Sequence, residues 1–70
     1  MAVIESPMAG KVLEILTEVG KNVAEDDEVI ILEAMKMENP IYAPTSGIVK
    51  EIKVKIGQQI AEGEVIMELE

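Results

Sequence analysis

Apolar residues recur along this chain in short runs, never more than four in a row, and the pattern of runs occurs twice. Displacing residues 4–33 by 37 positions lays them on residues 41–70 without a gap. Eleven pairs are then identical: Ile4/Ile41, Pro7/Pro44, Gly10/Gly47, Val12/Val49, Glu14/Glu51, Ile15/Ile52, Gly20/Gly57, Ala24/Ala61, Glu25/Glu62, Leu32/Leu69 and Glu33/Glu70. Glycines, prolines and apolar spacing stay in register together, which is the signature of a duplicated structural unit. Positions apolar in both halves are the expected core: Val12/Val49, Ile15/Ile52, Val19/Ile56, Val23/Ile60, Val29/Ile66, Ile30/Met67 and Leu32/Leu69.

The periodicity is that of strands. Ile15, Thr17 and Val19 have the two-residue period of a strand, as do Ile52, Val54 and Ile56, and the Val/Ile content favours extended chain. Val12 is out of phase with Ile15, which predicts a bulge or bend between them in each half. Gly10 and Gly20, with their mates, fall where the runs break, which fits turns needing positive φ. Each half therefore reads as a short strand, a Pro-x-x-Gly turn, a longer strand, a Gly turn, a very short strand, an acidic turn and a final strand. Two halves give about eight strands, and neither half closes a core alone. The expected fold is all-β, a flattened barrel-sandwich of two pseudo-twofold related halves forming a single domain over residues 1–70. Asp26 stands where Gly63 stands in the second half, so its turn is strained if its φ is positive.

One segment conflicts with this pattern. Leu32-Glu-Ala-Met-Lys-Met-Glu38 consists almost wholly of good helix formers. It is short, it ends at Asn39-Pro40, and the repeat requires a strand ending near Glu33, so helix nucleation is unfavourable. The expectation is strand, tight turn at Met35-Lys36, strand. No glycine or Asn-Gly marks that turn.

Composition narrows the function. With 70 residues, no His and no Cys, the chain lacks the usual general base and the commonest metal ligands, and no disulfide staples it. A self-contained hydrolase or zinc enzyme is not expected. Fourteen acidic residues against six lysines give a net charge of −8, and Tyr42 is the one aromatic residue. Nucleic acid would be repelled and has little to stack on. The apolar runs are too short to span a membrane, and the N-terminus carries no targeting pattern, so no membrane contact and a cytoplasmic location are expected.

Residues 34–40 have no counterpart in the repeat. Ala34-Met35-Lys36-Met37 is thus the link between two matched halves, and a lysine there should stand away from the body. Lys11, Lys21, Lys50, Lys53 and Lys55 read as solvated charges, whereas Lys36 has methionine on both sides. One reading of Met35 and Met37 has one packing inward and the other filling a gap; the other has both presenting a soft, adaptable surface. Symmetry is also broken at Leu13, Leu16 and Ile31, whose mates are Lys50, Lys53 and Glu68. If the mates face solvent, the first half exposes an apolar strip.

Glu33-Ala34-Met35-Lys36-Met37 resembles the biotinyl-lysine motif of biotin carboxyl carrier domains. Ser6-Pro-Met-Ala-Gly10, the Gly20 to Asp27 segment and Ala43-Pro-Thr-Ser-Gly47 resemble the family's other turns, so the likeness covers the whole chain. It implies biotin on Lys36, with Glu33, Ala34, Met35 and Met37 as flanking motif and no catalytic residue. It also implies three partners: a biotin protein ligase, a biotin carboxylase and a carboxyltransferase. Thr17 to Asn22 is as long as Val54 to Gln59, which leaves no room for the thumb of some members. The alternatives are a lipoyl-type carrier, which typically carries Asp-Lys-Ala at the modified lysine, and an unmodified barrel-sandwich interaction module.

Overall fold

A computed structural model describes residues 2–70. Each apolar run forms a strand: β1 (Ala2–Glu5), β2 (Gly10–Ile15), β3 (Asn22–Val23) and β4 (Glu28–Ala34) in the first half, then β5 (Met37–Tyr42), β6 (Gly47–Ile52), β7 (Gln59–Ile60) and β8 (Val65–Leu69) in the second. The strands form two four-stranded sheets, ordered β1-β8-β6-β3 and β5-β4-β2-β7. Replacing every strand by its repeat mate converts one order into the other. Each sheet thus mixes strands from both halves, so neither half alone completes a sheet.

The symmetry extends to single residues. Ala2 faces Leu69 and Ile4 faces Met67 in one sheet, as Asn39 faces Leu32 and Ile41 faces Ile30 in the other. The pairing of β2 with β4 shifts register between Val12 and Glu14, and that of β6 with β8 shifts between Val49 and Glu51. These are the bulges implied by the phase change before Ile15 and Ile52.

Between the sheets lies one core. It contains Val12, Val23, Val29, Ile30, Leu32, Val49, Ile60, Ile66, Met67 and Leu69, with Ile15 and Ile52 packed partly buried against it. Ile4, Ile41, Ala43 and Val54 join it as well. Met8 is partly buried against the same core. A core residue of this kind contributes about 1.5–3 kcal/mol by leaving water.

Val19 and Ile56 contradict the sequence expectation. Both are largely exposed, and β2 and β6 end at Ile15 and Ile52 rather than continuing to them. Each occupies a turn before a glycine of positive φ, Gly20 at +92° and Gly57 at +91°. The turn is anchored by Gly20 N–H donating to Val49 O at 2.8 Å and by Gly57 N–H donating to Val12 O at 2.7 Å. Their shared apolar character marks a shared turn position, not burial.

Candidate functional site

The hairpin of β4 and β5 carries the segment that the repeat leaves unmatched. Leu32 faces Asn39, Glu33 faces Glu38 and Ala34 faces Met37, so only Met35 and Lys36 remain to reverse the chain. A two-residue connection between antiparallel strands favours a turn with both central residues at positive φ, because that twist matches the strands. Met35 and Lys36 adopt it, at φ +54° and +64°. Apart from Asp26, they are the described non-glycine residues in that region. The left-handed backbone is therefore imposed by the pairing on either side. The local helix propensity of residues 32–38 is overridden for the same reason: the ladder satisfies their backbone in extended form.

Pro40 fits within β5 because β5 is an edge strand, where a missing N–H costs no ladder bond to a further strand. Asn39 Nδ2 donates to Met37 O at 3.1 Å and fastens the outgoing strand beside the turn.

The base of the hairpin is held by a close backbone approach. A Cβ on Gly10 would lie 2.7 Å from Glu33 O, and one on Gly47 would lie 2.8 Å from Glu70 O. Both distances are too short for any real Cβ, so β2 passes the end of β4 only because residue 10 has no side chain. Gly10 and Gly47 lack the positive φ that their places at run breaks suggested; this close approach is what requires glycine there.

At the apex the side chains face solvent. Met35 is 93 % exposed and Met37 is 63 % exposed, so neither packs inward. Lys36 and Glu33 are exposed and Ala34 is half-buried. Among the described residues, the Lys36 amine has no hydrogen-bond or ion-pair partner. Lys53, by contrast, lies 3.0 Å from Glu68 and 3.6 Å from Glu51, and Lys21 lies 3.7 Å from Glu18. No cavity forms beside Lys36 or elsewhere among the described residues. The arrangement suits a group joined covalently to the lysine and held out from the body, because a non-covalent ligand would need a concave site.

A family model described as "Biotin-requiring enzyme" matches residues 2–69. The biotin carboxyl carrier protein of Streptococcus mutans is 53 % identical over 38 residues, which is 54 % of this chain and 29 % of that protein. The methylmalonyl-CoA decarboxylase subunit gamma of Veillonella parvula is 42 % identical over 40 residues, 57 % of this chain and 31 % of that protein. Among solved structures, the urea carboxylase of Kluyveromyces lactis superposes with a TM-score of 0.88 at 33 % identity, covering 94 % of this chain and 6 % of that one. A single-chain, multi-domain long-chain acyl-CoA carboxylase also gives a TM-score of 0.88, at 26 % identity and 94 % coverage, with 7 % of its own chain matched. The chain thus spans less than a third of each of these relatives. No helix among the described residues is long and apolar enough to cross a membrane.

Proposed function

The chain belongs to the biotin-requiring enzyme family and is a biotin carboxyl carrier domain; on that premise we propose that biotin is joined to it through an amide at Lys36 Nζ. The observation that carries this reading is the placement of Lys36 at the apex of a two-residue turn, exposed and without an ion-pair partner, between two exposed methionines. The residues fit the group: an unhindered primary amine on a long unbranched stem, which Arg could not replace in forming an amide.

An ammonium group has no free lone pair and cannot attack until its proton is removed. A biotin protein ligase supplies the activated acyl group and removes the proton. The Lys36 nitrogen then attacks the acyl carbon, the activating group leaves with the bonding electrons, and an amide remains. Met35 and Met37 present the ligase with a polarizable, adaptable surface on either side of the amine. Glu33 and Ala34 complete the recognised segment.

Biotin held at Lys36 would supply carboxyl-group transfer between two active sites. The domain supplies tethering: a rigid hairpin under a flexible stem raises the local concentration of the arm at both sites. The partners in this reading are the ligase, a biotin carboxylase and a carboxyltransferase of a biotin-dependent carboxylase or decarboxylase. Residues 1–70 then act as one carrier domain of the thumbless type, and its kinship with carboxylase subunits supports a cytoplasmic location.

The test is intact mass after co-expression with biotin ligase. A gain of one biotinyl group, abolished by Lys36→Ala, is the expected result. A lipoyl adduct, an adduct that survives Lys36→Ala, or no adduct at all overturns the assignment.

A further inference from the structure

The two sheets have the same backbone but opposite outer faces. On the β1-β8-β6-β3 sheet, Lys53 and Glu68 form an ion pair at 3.0 Å. Their mates on the β5-β4-β2-β7 sheet are Leu16 and Ile31. The geometry is conserved, since Leu16 N–H donates to Val29 O at 2.9 Å just as Lys53 N–H donates to Ile66 O at 2.9 Å. One position in the fold thus carries a salt bridge on one face and an apolar pair on the other.

The substitution is part of a continuous strip. Leu13 sits at the bulge beside Ile31, Pro40 faces Ile31 across the β4–β5 ladder, and Tyr42 ends the same strand. Leu16 is 45 % and Tyr42 51 % exposed, while Leu13, Ile31 and Pro40 are half-buried. None of the five is packed against the core. The corresponding positions on the opposite face hold Lys50, Lys53, Glu68, Val3 and Glu5. Folding therefore does not require apolar residues at Leu13, Leu16, Ile31 and Tyr42, because the same backbone carries charges at those four positions on the other side.

The strip is rimmed by acids. Glu14 faces Ile31, Glu28 faces Tyr42, and Glu33 faces Glu38, with Lys11 the one cation in these pairings. All four carboxylates are exposed, and among the described residues none has an ion-pair partner. An apolar centre inside unpaired carboxylates is complementary to a surface that is apolar at its centre and basic at its rim. A second copy would bring the same acids face to face. A standard interface also takes about 800 Å² from each partner, close to a fifth of this chain's 4327 Å², which five part-exposed side chains do not supply. The area suits a brief encounter with a larger protein.

We propose that the outer face of the β5-β4-β2-β7 sheet docks transiently on a basic-rimmed apolar surface of the carboxylase that the carrier serves. The inference rests on the carrier reading, but its apolar centre at Leu13, Leu16, Ile31, Pro40 and Tyr42 does not include Lys36 or the residues flanking it. Docking through this face holds the domain beside an active site while leaving the turn free to enter it.

The test transplants one face onto the other. Leu16→Lys/Ile31→Glu copies the Lys53–Glu68 pair without changing net charge, and Leu13→Lys/Tyr42→Glu copies Lys50 and Glu5. Purified biotin carboxylase and carboxyltransferase components of the source organism are the probes, and the full biotinylated chain is the substrate. Each double variant is expected to raise KM at least tenfold for one component or both, with kcat and ligase-catalysed biotinylation unchanged. Raising salt is expected to weaken the wild-type interaction. The converse pair, Lys53→Leu/Glu68→Ile, should leave KM within twofold. Binding of the unmodified Lys36→Arg chain to the same components separates this proposal from the attachment site, since docking should persist there. KM within twofold for both strip variants against both components, or a strip-dependent dimer in sedimentation, overturns the proposal.

Discussion

Met35 and Lys36 hold a backbone that their side chains disfavour, and this has a measurable cost. A left-handed L-residue loses roughly 1–2 kcal/mol against the right-handed form, so the pair stores about 2–4 kcal/mol. A 70-residue domain is stable by about 3.5–10 kcal/mol, so the turn consumes a substantial share. Met35→Asn/Lys36→Gly installs the dipeptide that such turns prefer. Removing the native side chains costs no packing, because Met35 is 93 % exposed and Lys36 is exposed. Glycine returns about 0.5–1 kcal/mol of the gain through its freer unfolded chain. The expected net stabilisation is about 1–2 kcal/mol, a rise in Tm of about 4–16 °C for a domain of this size. Thermal melts followed by circular dichroism, with urea midpoints as a second measure, read it directly. Met35→Asn alone should give a smaller rise. An unchanged or lower Tm in the double variant refutes the reasoning, since the ladder would then accommodate the turn without strain.

Other outcomes follow from neighbouring features. Gly10→Ala should cost about 1–3 kcal/mol in urea denaturation, because its Cβ would lie 2.7 Å from Glu33 O and backbone must move. Asp26→Gly should stabilise by a few tenths to about 1 kcal/mol, since Asp26 sits at φ +72° where its mate Gly63 sits at +84°; equal or lower Tm contradicts this. Hydrogen bonding to Lys53 holds the Glu68 carboxyl below its ordinary 4.5. The pair's contribution is therefore complete above that value and lost as pH falls through the lower folded pKa. The stability gap between wild type and Lys53→Met should accordingly close as pH drops below 4.5; a gap constant from pH 7 to pH 3 refutes it.

The repeat made the architecture legible because each half constrains the other. The out-of-phase Val12 and Ile15 announced the bulges, and the exchange of Asp26 for Gly63 marked a turn whose strain depended on the sign of φ, which is +72°. Val19 and Ile56 were misread because duplication reports a shared environment without saying which one. At the position before a turn glycine that environment is solvent, and an alternating pattern runs past the strand end unmarked. Ile4, Ile41, Ala43 and Val54 enter the core through long-range closure of the sheets. Lys36 was legible as exposed because it lies on the unmatched link. Its left-handed backbone was not, because neither Met nor Lys carries a turn signal and the conformation is dictated by the pairing of Ala34 with Met37.

The pairing of Ala2 with Leu69 has a consequence for topology. It is the counterpart of Asn39 with Leu32, so residues 2 and 69 lie together where the second half would bear its own hairpin. Joining residue 70 to residue 1 through Ala-Met-Lys-Met would close that hairpin, give the domain a second graft point, and free the ends to be opened elsewhere.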